Sequence, residues 1–200
     1  MKKFRKVLIV LLAILVPVSI GFGYNFFSWN GSKSAENKAM TVKGTLTVNE
    51  IKNAQNLVPG DKICNGVTMN ITSSAVSLLR VKVDIYYAEA GSTEYTVTTD
   101  IAPIKNAGDN WLKGSDGYYY YTQGVKNGDI VKLAEEGIYF NGLNDNVDMN
   151  KYQGKKIKVV ANAELVQAKH GVFAEKWGLS ENKDGDIYTK LKKISNDQGQ

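Results

Sequence analysis

The side chains that could carry chemistry are few and far apart. The chain has one histidine, His170, and one cysteine, Cys64. A single histidine builds neither the paired-histidine zinc helix of a metallopeptidase nor a three-histidine metal site. Cys64 and His170 would form a nucleophile–base pair only if folding joined them, and neither lies in a motif for that role. Cys64 falls in the apparent strand Lys62–Ile71. There a free cysteine reads as a small buried apolar residue, with an intermolecular disulfide as the alternative. No glycine-rich loop joins a strand to a helix, so nothing points to a nucleotide. The residues assign no catalytic group, no firm metal site and no cofactor, and the expectation is a protein that is not an enzyme.

Two stretches offer oxygen ligands. Asn141–Asp148 and Glu181–Asp186 set Asp145, Asp148, Asp184 and Asp186 among Asn and Gly. These four are candidates for weak calcium binding, although neither run has the length or the closing glutamate of a calcium-binding hand. The competing reading is that Asn, Asp and Gly simply form turns. A third stretch, Tyr118-Tyr119-Tyr120-Tyr121, follows an Asp116-Gly117 turn. On a strand, Tyr118 and Tyr120 face one way and Tyr119 and Tyr121 the other. Half of them are expected to pack in the core with Trp111. The other half would line a surface, packing across strands or binding sugar.

The elements that must position these groups are strands. Ser77–Ala88 puts Leu79, Val81, Val83 and Ile85 on one face and Arg80, Lys82 and Asp84 on the other, the pattern of a sheet with one wet face. Lys155–Gln167 repeats it with Ile157, Val159, Ala161, Ala163 and Leu165. Further strands are expected at Thr41–Val48, Ile63–Ile71, Tyr95–Thr99, Asp129–Ala134 and Gly137–Asn141, with Lys105–Asp116 as a loop. Pro59-Gly60 calls for a tight turn. Gly171–Gly178 suits a short helix, and Asp186–Ile194 a last strand or a short helix. Short strands, Gly/Pro/Asn/Asp turns and no long helical period predict an all-β, jelly-roll-like antiparallel β-sandwich with one or two short helices.

The N-terminus has the order of a secretory signal. Met1–Lys6 is cationic, Val7–Ile20 apolar, and Gly21-Phe22-Gly23 supplies small residues for cleavage. The expected layout is a signal peptide at 1–23, a flexible polar leader at 24–40 and the sandwich at 41–200. An uncleaved anchor running on to Phe27 is the alternative. Setting aside Lys2, Lys3, Arg5 and Lys6 takes the basic residues from 25 to 21, against 20 acidic ones. A body so near neutrality, with no basic block, gives no reason to expect nucleic acid as a partner.

The segment Tyr24–Val48 joins a leader without a core to a strand, in which Val42, Leu46 and Val48 alternate with polar residues and Gly44 suits a close backbone approach. Such a segment can pair within its own domain or be lent to a neighbour.

Several stretches resemble one family. Gly21–Trp29 is similar to the exit of signal peptides handled by the SipW-type peptidase, with Asn25 and Trp29 departing from the usual Ala and Asp. Lys43–Val48 resembles that family's first strand, Asn56–Lys62 its Leu-x-Pro-Gly-Asp turn, and Leu79–Tyr87 the strand after it. Ala163–Ala168 followed by Trp177 is similar to the late strand and helix of some relatives. The ordered set resembles the TasA/camelysin (CalY) family of secreted biofilm-matrix fibre proteins. The resemblance implies a jelly roll exported to the cell surface or extracellular matrix of a Gram-positive bacterium after cleavage by a SipW-type signal peptidase. It also implies a head-to-tail homopolymer in which residues 26–48 of each subunit serve the next as a donor strand, through Val42, Gly44, Leu46 and Val48. Matrix polysaccharide is a further expected partner. Camelysins are classed as zinc peptidases, so a surface metallopeptidase is one alternative function; a carbohydrate-binding module using Tyr118–Tyr121 is another. Lys33, Lys38 and Lys43 are candidates for a Lys–Asn isopeptide link between subunits, which requires an amine made neutral by an apolar site and a neighbouring acid.

Overall fold

Two twelve-residue strands form the spine of the domain. The computed structural model describes residues 57–198, together with the backbone of the strands Ser28–Asn30 (β1) and Val42–Thr47 (β2). The strands β3 (Lys62–Cys64), β4 (Val67–Ser73), β5 (Ser77–Ala88) and β6 (Thr96–Thr98) follow in chain order. After them come β7 (Trp111–Lys113), β8 (Tyr118–Tyr121), β9 (Ile130–Leu133), β10 (Ile138–Tyr139) and β11 (Lys156–Gln167). Two helices close the chain, α1 (Val172–Trp177) and α2 (Glu181–Asp197). The fold is all-β and sandwich-like, its paired strands antiparallel throughout.

The larger sheet runs β1-β11-β5-β8-β7, with β6 also pairing β5; the smaller runs β2-β4-β9, and β3 pairs β10. β5 and β11 match along their whole length, from Ser77 opposite Gln167 to Ala88 opposite Lys156. Their apolar alternation works as the sequence predicts. Leu79, Val81 and Ile85 meet Ile157, Val159, Ala161, Ala163 and Leu165 in one core, with Met69 and Ile71 of β4 and Val131 and Leu133 of β9 closing it. Each fully buried large aliphatic side chain contributes roughly 1.5–3 kcal/mol.

The opposite face is not uniformly wet, as Arg80, Lys82 and Asp84 suggested. Its Ser77–Arg80 end lies under the helices, in a second cluster of Leu78, Tyr120, Val166, Phe173, Trp177 and Leu191. Charge on Arg80 misled the reading, because ion pairing satisfies that charge under cover.

Other differences have local causes. The expected strand Ile63–Ile71 divides into β3 and β4, which join different sheets. The break is at Gly66, where a Cβ would lie 2.0 Å from the carbonyl oxygen of Ala134 and 2.4 Å from that of Leu133. Only glycine permits that approach. Gly66→Ala is therefore expected to destabilise the domain by about 3 kcal/mol, the upper end for overpacking, measured as a shift in urea midpoint. The expected loop Lys105–Asp116 contains β7, pinned by Trp111 Nε1 donating to the Lys132 carbonyl at 2.8 Å. The stretch Asp186–Ile194 is helical, in α2. Ile187, Leu191 and Ser195 are buried while Thr189 and Lys193 are exposed, so the true period is four rather than two. The Pro59-Gly60 turn forms as expected, with Gly60 at φ +100 and Asp61 N–H donating to Val58 O at 3.0 Å.

Candidate functional site

The N-terminal segment supplies an outer strand to both main sheets. β2 pairs with β4 from Val42 opposite Ser73 to Thr47 opposite Thr68. Its register sets Val42, Gly44 and Leu46 opposite Ser73, Ile71 and Met69, which are all buried. β1 lies inside the stretch expected to be a structureless leader, and pairs with β11 through Ser28–Val166, Trp29–Leu165 and Asn30–Glu164. The two N-terminal strands adjoin, and β2 also lies against β11.

The side of β11 that faces away from β5 is therefore paired only at Glu164–Val166 among the described residues, so its stretch 156–163 has no partner strand there. A row of peptide groups without a ladder partner is a template for a strand from elsewhere. The other sheet ends are short. β6 and β7 have three residues each and β9 has four, the usual way of blunting an edge. Val48, the signal peptide 1–23 and the leader apart from Ser28–Asn30 lie outside the described residues, as do the side chains of Lys33, Lys38 and Lys43. No lysine among the described residues is buried, so none of them has the apolar site that an isopeptide bond requires.

The tyrosine run is β8, and both of its faces are covered. Tyr119 and Tyr120 are buried, while Tyr118 and Tyr121 are partly so. Tyr121 packs on Trp111 with ring centroids 5.0 Å apart, and Tyr120 packs edge-on to Trp177 at 5.8 Å. Tyr119 and Tyr121 pack with Trp111, as expected for half of the run, and Tyr118 and Tyr120 pack across strands beneath α1. Arg80, on the adjacent strand, ties the second pair in place. Its Nη2 lies 2.7 Å from Glu164 Oε2 and its Nε donates to the same oxygen at 2.9 Å. Its Nη1 donates to Tyr120 OH at 3.2 Å, and that hydroxyl donates to Asp116 Oδ2 at 2.6 Å. Tyr118 OH donates to Glu164 Oε1 at 2.9 Å, and its ring lies 3.9 Å under the guanidinium carbon. Trp177 flanks the guanidinium at 5.0 Å. Arg80, Glu164, Asp116 and both tyrosine hydroxyls are thus engaged with one another, which fixes α1 on the sheet.

Burial raises the phenols of Tyr118, Tyr119, Tyr120 and Tyr121, with bonds to Glu164 and Asp116 adding to it for Tyr118 and Tyr120. A phenol with a raised folded pKa favours the native state fully below its unfolded value of about 10, and loses that contribution as pH climbs through the folded pKa. The domain should hold to about pH 9 and unfold cooperatively above roughly pH 10–11. Phenolate absorbance should rise together with loss of near-ultraviolet circular dichroism.

The remaining candidates are separated. Cys64 is buried in β3 opposite Ile138. Burial pushes its thiol up, against a smaller opposing pull from Lys62, so it stays a thiol near neutrality. His170 is exposed in the turn after β11, at φ +66. Asp148 Oδ1 accepts from Asn150 N–H at 2.9 Å, and Asp184 Oδ2 from Ser180 N–H at 2.9 Å; both carboxylates serve as turn caps. Among the described residues no group of three His, Cys, Asp or Glu side chains is placed to hold a metal ion, so Asp145, Asp148, Asp184 and Asp186 do not form one site. Sequence reasoning placed Arg80 on a wet face and passed over Glu164, because Lys82 and Asp84 on β5 and Lys158 on β11 give the same alternation without being buried.

Comparison with family models, curated proteins and solved structures finds no match to the chain.

Proposed function

We propose that this chain is a secreted structural subunit of an extracellular fibre, of the TasA/camelysin kind, polymerising when residues 26–48 leave their own sheets and complete those of the next subunit. One observation carries the reading: the N-terminal segment supplies outer strands to both main sheets, mainly through backbone pairing at their edges. Pairing of that type is the same in cis and in trans, because main-chain hydrogen bonds do not depend on which copy supplies the strand. A head-to-tail exchange does not close, so it propagates as a filament. Export follows from the signal-like order of residues 1–23, and the cell surface or matrix of a Gram-positive bacterium is the proposed location.

Electron microscopy of the exported protein tests this. Filaments one subunit wide are expected, with an N-terminus between Gly23 and Ala35 by intact mass. A protein that stays monomeric at high concentration, or that shows metal-dependent peptide cleavage removed by His170→Ala, would overturn the proposal.

A further inference from the structure

The helices cover only one end of the outer face of the larger sheet. Beyond Arg80 no helix among the described residues covers that face, and its middle row runs across three strands. Val97 of β6 lies opposite Tyr86 of β5, which lies opposite Lys158 of β11. Tyr95, just before β6, is 40% exposed and Val97 is 51% exposed. Lys158 Nζ sits 5.4 Å from the centre of the Tyr95 ring. Lys156, on the same face, donates to the Ser92 carbonyl at 3.1 Å. Asp84, the acid on this face, is held by Lys82 at 3.2 Å. Neither Lys156 nor Lys158 has a carboxylate partner among the described residues.

We infer that this face binds an anionic polysaccharide of the uronic-acid type. The exposed Tyr95 ring, with Val97 beside it, offers stacking for the C–H face of a sugar ring, and tyrosine presents an apolar body with a polar tip. Two ammonium groups without a carboxylate in ion-pair distance among the described residues supply the charge complement for ring carboxylates, and the remaining N–H groups of Lys156 are available to them. Duplex DNA is a poorer fit. Its affinity comes from neutralising several phosphates at once, whereas this face offers two lysines on a body close to neutral. The two lysines stand on the outer face of β11, whereas the N-terminal strand β1 pairs along its edge at Glu164–Val166, so a fibre formed as proposed above would repeat the face once per subunit. Weak single contacts would then add up along one polysaccharide chain.

The test is affinity electrophoresis of the full exported chain through gels holding polygalacturonate, dextran or duplex DNA. Polygalacturonate is expected to retard the protein, and added salt to release it. Lys158→Glu and Tyr95→Ala should each weaken retardation about tenfold, equivalent to about 1.4 kcal/mol, while Tyr95→Phe keeps it. Both side chains are exposed, so the variants should melt with the parent; Lys158→Gln, with a smaller loss than Lys158→Glu, serves as a second charge variant. Equal retardation by dextran, preference for DNA, no retardation at all, or full retardation of both Lys158→Glu and Tyr95→Ala would overturn the inference. Micrographs of the same samples score filaments separately, so a loss of sugar binding with filaments intact counts against this inference and leaves the fibre reading standing.

Discussion

A chain lacking residues 24–40 is expected to fold and to stay monomeric under conditions where the full exported chain forms filaments. The deletion removes β1 and keeps β2. β1 pairs three residues of β11, and at on the order of 1 kcal/mol per net hydrogen bond its loss costs roughly 2–3 kcal/mol. A domain stable by about 5–15 kcal/mol tolerates that. Assembly should not survive it, because β2 without its leader is held close to β4 and has no length to reach a neighbour. Light scattering and electron microscopy report the outcome, and circular dichroism checks the fold. Normal filaments from the truncated chain would mean that subunits meet through some other surface.

The largest stability loss from a single surface-side substitution is expected at Arg80→Ala. The guanidinium is the hub of the knot that ties β5, β8, β11 and α1 together. Removing it leaves Glu164, whose side chain is 18% exposed, and Asp116, at 33%, without the cation that both pair with. Breaking a buried pair from one side costs about 3–5 kcal/mol, more than the net worth of the pair itself. The double change Arg80→Met with Glu164→Met should recover a good part of the loss, since it removes both charges and keeps the volume. Urea unfolding followed by Trp177 fluorescence measures both variants. A loss under about 1 kcal/mol for Arg80→Ala, the range of exposed pairs, would show that the cluster is solvated and not structural.

Legibility in the sequence followed the simplicity of each environment. β5 was readable to the residue and β11 to within one, because the core-facing positions of both are apolar at every second residue. The split at Gly66 was not, because it depends on Ala134 arriving from a distant part of the chain, which local pattern does not encode. α2 was ambiguous because Ile187 and Leu191 fit a period of two as well as four, and only the covered sheet face beneath selects the helix. For the tyrosines, the packing of Tyr119 and Tyr121 with Trp111 was legible, but the cover over Tyr118 and Tyr120 was not, because it depends on α1 being there. At the candidate site, the strand Val42–Thr47 was legible from its alternation. β1 was not, since three residues in a polar stretch carry almost no periodicity and gain their strand form from β11.

The most direct measurement concerns which copy the N-terminal strand pairs with. Thr45 lies opposite Asn70, which is exposed, and Cα atoms of directly opposed antiparallel residues are about 4.5–5.5 Å apart, within disulfide reach. Thr45→Cys with Asn70→Cys, in a Cys64→Ala background, can therefore be oxidised after filaments have formed and run on a gel without reductant. Strand exchange predicts a ladder of covalent dimers, trimers and higher species that collapses to monomer on reduction. Internally bridged monomers from the same filaments would show that each strand stays at home, and would contradict polymerisation by strand donation.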